Sequence, residues 1–219
     1  MEEDKKAIYK IYIDDFINKY NFSSIINNTL PLASYMELLV EKNKMINLTG
    51  KSNFDEICET QLRESLELFH ALPSSMIDQN HMKVLDIGSG GGFPGIVTAI
   101  VKKNWDIVLV ESITKKANFL LETVQKLSLT NVKVLNVRAE ELLNPGNHNY
   151  FDIVMARAVG KIDYLYPLFS YFSKEKGLMV FWKKRIEFSS CLKKYPITLQ
   201  KEHLYPVENG FKSIVVFSK

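Results

Sequence analysis

Half of the ten glycines in this 219-residue chain fall within positions 88 to 95, directly after Val84-Leu85-Asp86-Ile87. A short aliphatic run that ends in glycine reads as a buried parallel strand entering a βα turn, where the backbone bends sharply and comes close to a ligand. Parallel strands need crossover connections, so this one turn already commits the chain to alternating β and α elements. The sequence downstream agrees. Strand-like runs at Ile107–Val110, Val132–Asn136, Phe151–Ala156, Leu178–Trp182 and Ser213–Phe217 alternate with helix-like runs at Lys115–Leu129 and Tyr164–Phe172. The expectation is a mostly parallel α/β sheet covered on both faces, its last two strands pairing antiparallel at the edge.

Residues 1–80 follow a different grammar. Ile8, Ile11, Tyr12 and Asp15 begin one helical pattern, Leu32, Tyr35, Met36, Leu39 and Val40 form a second, and a third runs from Phe54 to Leu72. Asn53 and Glu56 have capping-box spacing at its start, and Pro73 ends it. We therefore expect an N-terminal helical cap over 1–80 and an α/β domain over 81–219. The cap carries 8 Lys/Arg against 13 Asp/Glu and the remainder 20 against 12, giving about −5 and +8. That asymmetry suits a polyanion-facing surface on the second part. No apolar stretch approaches the ~18 residues of a membrane span, and the acidic start MEEDKK is unlike a signal peptide, so a cytoplasmic chain is expected. Cys58 and Cys191 have no CxxC spacing, and His70, His81, His148 and His203 no ligand spacing, so no metal is expected.

The glycine loop fits two nucleoside cofactors. Gly88-x-Gly90-x-Gly92 suits S-adenosylmethionine, while Gly90-x-Gly92-x-x-Gly95 matches the dinucleotide fingerprint. The first register is favoured, because Gly88 directly follows the strand. Asp86 adds weight, since its carboxylate can accept from loop amides and a ligand ammonium but would sit badly beside a pyrophosphate. Glu111, ending the second strand, can accept both ribose hydroxyls of either cofactor. Ala139 and Glu140 end the next strand-to-helix passage and offer backbone groups to an adenine; Arg138-Ala139-Glu140 also reads simply as a helix start.

Asn47-Leu48-Thr49, Asp86-x-Gly-Ser-Gly-x-Gly-Phe-Pro-Gly95, Glu111-Ser112 before Lys115-Lys116-x-x-Phe119-Leu120, Arg138-Ala139-Glu140 and Phe151-Asp152 before Ala156-Arg157-Ala158 occur in one order. With them the chain resembles the glucose-inhibited division protein B (RsmG) family of bacterial small-subunit ribosomal RNA methyltransferases, over about Asn43 to Trp182. The resemblance implies a Rossmann-like class I S-adenosylmethionine-dependent methyltransferase fold. It also implies transfer of a methyl to N7 of a guanosine in the decoding-region loop of 16S rRNA, with S-adenosylhomocysteine as product. By the same resemblance Gly88, Phe93, Ala139, Glu140 and Arg157 line the cofactor site. The chain departs from the family pattern at Gln61 and Glu64, where His and Asp are usual, and at Lys183-Lys184, where Lys-Gly is usual.

Guanine N7 carries an unprotonated lone pair, so its methylation needs alignment and no general base. Arg157 can hold guanine O6 or a phosphate by its fixed donors, although an ion pair with an acidic helix residue is the plainer account of it. Lys115, Lys116, Lys183, Lys184 and Arg185 are candidate contacts to the phosphates of 16S rRNA or the small subunit. A monomer without membrane attachment is expected. Two other functions stay open at this stage: an NAD(P)-dependent oxidoreductase, from the second glycine register, and a non-catalytic RNA-binding or assembly protein that keeps the fold.

Overall fold

The computed structural model describes residues 2–182, 192 and 194–219, with side chains from residue 7 onward. Seven strands form one sheet: β1 (Lys83–Ile87), β2 (Asp106–Val110), β3 (Val132–Leu135), β4 (Phe151–Ala156), β5 (Ser173–Trp182), β6 (Thr198–Val207) and β7 (Gly210–Ser218). Their order is β3-β2-β1-β4-β5-β7-β6. The first five are parallel, with Asp86 opposite Leu109 on one side and Met155 on the other. β7 runs antiparallel between β5 and β6, Val180 facing Val216. The chain first winds outward from β1 to β3 and then restarts beside β1 with β4. The strand order therefore reverses between β1 and β4, where the carboxyl ends open a crevice.

Period-two alternation divides the core. In β5, Leu178, Val180 and Trp182 join the apolar cluster on one face of the sheet, and Met179 and Phe181 join that on the other. The first face is covered by α6 (Gly95–Val101), α7 (Thr114–Lys126) and the N-terminal helices; the second is covered by α8 (Ile162–Phe172), through Leu165, Leu168, Phe169 and Phe172. The N-terminal helices are α1 (Glu2–Lys19), α2 (Leu30–Asn43), α3 (Phe54–Ile57), α4 (Arg63–Ala71) and α5 (Ser74–Ile77). Ile13, Leu32, Met36 and Leu66 from them lie in the same continuous cluster as Val84, Leu109 and Val180.

Three expectations need correction. The buried stripe of α1 is Ile13, Phe16 and Ile17, while Ile8 and Ile11 are 64% and 62% exposed. The stripe that wins is flanked by Tyr9 and Tyr12, which pack on the Phe54 ring at 4.4 and 4.9 Å and set the helix's rotation. The third helix does run from Phe54 to Ala71, and Asn53 caps it by accepting from the Asp55 and Glu56 amides. It is not regular, however: Cys58–Leu62 form a π turn between α3 and α4. Finally, the segment before the last strand is strand β6, so the edge is a hairpin and not one strand. Its sequence Thr-Leu-Gln-Lys-Glu-His-Leu is polar on both faces because it pairs on one side only, and Leu199 and Leu204 stay exposed.

Candidate functional site

A cavity of about 1030 Å³ lies at the carboxyl ends of β1, β2 and β4. Its floor is the glycine loop. The loop is held by the Gly88 amide donating to Val110 O at 2.8 Å, and by the Tyr35 hydroxyl of α2 donating to Gly91 O at 2.6 Å. The turn after α2 closes over it, as Asn43 accepts from the Leu48 and Thr49 amides and places both residues in the wall. The remaining wall comes from the π turn and α4 (Thr60, Gln61, Glu64), from the Arg157–Gly160 turn after β4, and from the C-terminal strands (Trp182, Tyr205, Lys212).

Of the residues singled out in the sequence, Gly88, Gly90, Phe93, Glu111, Lys116 and Arg157 line this cavity. Glu111 is 5% exposed and bridges loop and helix: its carboxylate accepts from the Gly90 amide at 2.8 Å and from the Ile113 amide at 2.7 Å. A carboxylate offers about four lone-pair directions, so two remain for a vicinal diol.

Arg157 sits deeper than expected and is already engaged. Its Nη1 donates to Glu64 Oε2 at 3.0 Å, Nη2 donates to Gln61, and Nε donates to Phe93 O at 3.4 Å. The plainer account, an ion pair with an acidic helix residue, is thus what the structure shows, and two of the five guanidinium donors remain for a substrate. Glu64 accepts from Lys212 as well. The two residues noted as departures, Gln61 and Glu64, are therefore the partners that orient Arg157.

Other expected site residues lie outside this lining. Asp86 is wholly buried beneath the loop and does not line the cavity; its Oδ2 accepts from the Gly95 amide at 3.1 Å and Oδ1 has no partner among the described residues. Burial pushes its carboxyl up to about 7, against the lowering pull of the Ser89 side chain, the Gly95 amide and Arg157. Through the Gly95 amide it braces the loop from below. Gly92 faces Ile96 and the Tyr35 hydroxyl, and Gly95 packs on Leu109 and Asp86, where a Cβ would lie 2.5 Å from Asp86 Oδ2. Ala139 is buried against the α8 side of the core, and the Glu140 carboxylate is exposed and accepts from the Tyr164 hydroxyl, so neither is in the cavity wall. Lys115 is exposed and outside the wall. Lys183, Lys184 and Arg185, with Cys191, lie outside the described residues.

Sequence reasoning missed Thr60, Tyr205 and Lys212. The last two are carried by the hairpin β6–β7, and without β6 nothing placed them near Arg157. A strand that continues through Phe211 and Lys212 ahead of Ser213 was the available signal.

The residues fit S-adenosylmethionine better than a dinucleotide. Gly88 and Gly90 face the cavity, whereas Gly92 and Gly95, two of the three glycines of the dinucleotide register, are spent on packing. At Gly90, with φ +57°, an added Cβ would meet nothing closer than 3.9 Å, so the glycine leaves a concavity in the floor beside Glu111.

A doubly wound sheet with an antiparallel β7 and a nucleoside-type cavity at the strand reversal is the class I methyltransferase arrangement. Solved structures of the same fold include an S-adenosylmethionine-dependent methyltransferase from Aquifex aeolicus, TM-score 0.55, 19% identical, covering 75% of this chain and 93% of that one. Another is TYW2 from M. jannaschii in complex with AdoMet, TM-score 0.55, 16% identical, covering 72% and 74%. Within this class, residues 28–209 match the family described as rRNA small subunit methyltransferase G (GidB), and the chain belongs to that family. A relative of that name from Mycoplasma capricolum is 39% identical over 77% of this chain and 70% of its own length. One from Francisella tularensis is 32% identical over 84% and 85%. No described helix is long and apolar enough to cross a membrane.

Proposed function

We propose that the chain transfers a methyl group from S-adenosylmethionine to N7 of a guanosine in the decoding-region loop of 16S rRNA. The observation that carries this reading is one cavity with Glu111 and the glycine loop on one side and the clamped Arg157 on the other, in a chain of this family. When bound, S-adenosylmethionine supplies an electrophilic methyl on its sulfonium. Glu111 is placed to accept the ribose hydroxyls, and the Gly88–Gly91 floor seats the amino-acid end. Phe93 is 4% exposed and 5.6 Å below the Arg157 guanidinium, so it stiffens the partition between the two halves of the cavity.

Guanine N7 brings its own lone pair, so the chain needs no base and no proton leaves. What it supplies is alignment, which can contribute several kcal/mol to lowering a barrier. A donor on N7 would block the nucleophile; Arg157 therefore takes O6 or a flanking phosphate with its two remaining N–H groups. Lys51, Lys116 and Lys212, all in the cavity wall, suit phosphates at the mouth. In this reading residues 1–80 act as the cap over the cofactor, and the protein works in the cytoplasm as a monomer on the small subunit or its RNA.

The test is methyl transfer from labelled S-adenosylmethionine to small subunits and to naked 16S rRNA lacking N7-methylguanosine, with the modified nucleotide mapped. Label on one guanosine N7 is expected. Cofactor binding without transfer to either substrate would point to another acceptor or a non-catalytic RNA-binding protein, and absence of cofactor binding would revive the oxidoreductase reading.

A further inference from the structure

The histidines have no ligand spacing in sequence, yet folding brings two of them onto one carboxylate. Glu67 and His70 are three residues apart on α4 and so share a face, and β6 carries His203 against that face. His203 Nε2 lies 2.7 Å and His70 Nδ1 3.3 Å from the same oxygen, Glu67 Oε2, and the three atoms are mutually within 4.8 Å. From these positions we infer that Glu67, His70 and His203 form a binding site for a divalent transition-metal ion, best met by zinc, that pins the C-terminal hairpin to the cap.

The geometry is close to what zinc needs. Bonds of about 2.0–2.1 Å in a tetrahedron set neighbouring ligand atoms about 3.3 Å apart; His70 already stands at that distance from Oε2, His203 must move out by some tenths of an ångström, and the two ring nitrogens lie within 4.8 Å of each other. Two imidazoles and a carboxylate are a zinc donor set, and the fourth position is left to water, reachable past the His70 side chain, which is 35% exposed. The rings are held in place before any ion arrives: His70 stacks on Phe22 at 5.0 Å and His203 on Tyr205 at 5.9 Å. Arg63 Nε stands 3.6 Å from the other carboxylate oxygen, Oε1, too far for a hydrogen bond, and places a positive charge on that side of Glu67.

On binding, the ion takes the place of the ring hydrogens that point at Oε2: a doubly protonated ring releases that proton to solvent, a neutral ring carries it on its other nitrogen instead, and each ligating imidazole ends neutral. Nothing is oxidised and no bond to carbon changes. The site is distinct from the proposed methyl-transfer cavity but mechanically joined to it. Glu64, one turn earlier on α4, orients Arg157, and Tyr205 both stacks on His203 and lines the cavity.

The experiment is zinc titration of the tag-free chain after chelator treatment, following bound metal by elemental analysis and Tm by calorimetry. We expect one equivalent more in the wild type than in His203→Gln or His70→Gln. At a hundredfold excess over Kd we expect a rise of about 5–10 °C in Tm that both variants lack. Glutamine keeps a donor for Glu67, and His70→Gln, at a partly exposed position, carries the test if His203→Gln does not fold. Equal zinc stoichiometry in wild type and variants, or wild-type protein that retains no zinc and shows no Tm shift, would overturn the proposal and leave a hydrogen-bonded triad.

Discussion

Asp86→Asn isolates the cost of a buried carboxyl. In the folded chain the group is wholly buried, with one oxygen unpaired, and titrates near 7 instead of the ordinary 3.8. Because its folded pKa lies above the unfolded one, the folded chain holds a proton that the unfolded chain releases. Stability therefore falls as pH rises from about 4 to 7 and levels off above. Three pKa units correspond to about 4 kcal/mol, of which about 3 kcal/mol falls between pH 5 and pH 8. Asparagine matches the shape, can still accept from the Gly95 amide and does not titrate. Its buried NH₂ in the Oδ1 position shifts the whole curve downward without tilting it. The assay is urea unfolding of both proteins without cofactor at pH 5, 6, 7 and 8. The wild type should lose about 3 kcal/mol more than the variant across that range, all other titrations being common to both. Parallel curves would mean that Asp86 is ionised at little cost, and the account of the loop as braced over a strained carboxyl would fall.

Gly95→Ala should lower stability by about 1–3 kcal/mol in the same assay, since the new Cβ meets Leu109 and Asp86; an unchanged midpoint would show that this packing yields freely. Glu111→Ala should weaken S-adenosylhomocysteine binding about tenfold or more by calorimetry, through the lost diol contacts and the freed Gly90 amide, and unaltered affinity would remove Glu111 from the site. Arg157→Ala should cut the methyl-transfer rate at least about tenfold while Tm moves only a few degrees, since Glu64 keeps Lys212. Full rate in that variant would take Arg157 out of the reaction.

The sheet was legible wherever burial on both faces dictated it. Ile107–Val110 is apolar throughout, and Val84–Ile87 and Phe151–Ala156 are interrupted only by Asp86 and Asp152, because helices cover both sides of the sheet, and runs this short bounded by turn residues read as strands. β6 was not legible, for the converse reason: with one neighbour and an open edge, Thr198–Val207 is under no pressure to be apolar. The site divides similarly. Glu111 and Gly88 could be read because chain order fixes their place beside the strand ends. Arg157 could be placed but not its partners, as Gln61 and Glu64 come from 96 and 93 residues away and meet it only through the packing of α4. Asp86 shows the opposite limit. Its place at the strand end could be read, but its depth beneath the loop and its contact with the Gly95 amide are tertiary quantities.

The π turn at Cys58–Leu62 has a consequence for how this region can vary in length. A wide turn lodges one surplus residue in a helix while keeping the segments before and after it in rotational phase. Removing one residue from within the turn would therefore restore an ordinary α-helix with Ile57 and Phe69 still facing the core. Removing one from α4 would turn everything beyond by about 100°. A residue lost within the turn thus alters the cavity wall, where Thr60 and Gln61 stand, and the core contacts of Cys58 and Leu62, while the rest of the helix keeps its facing, so the contour presented to a substrate can be redrawn by length as well as by substitution.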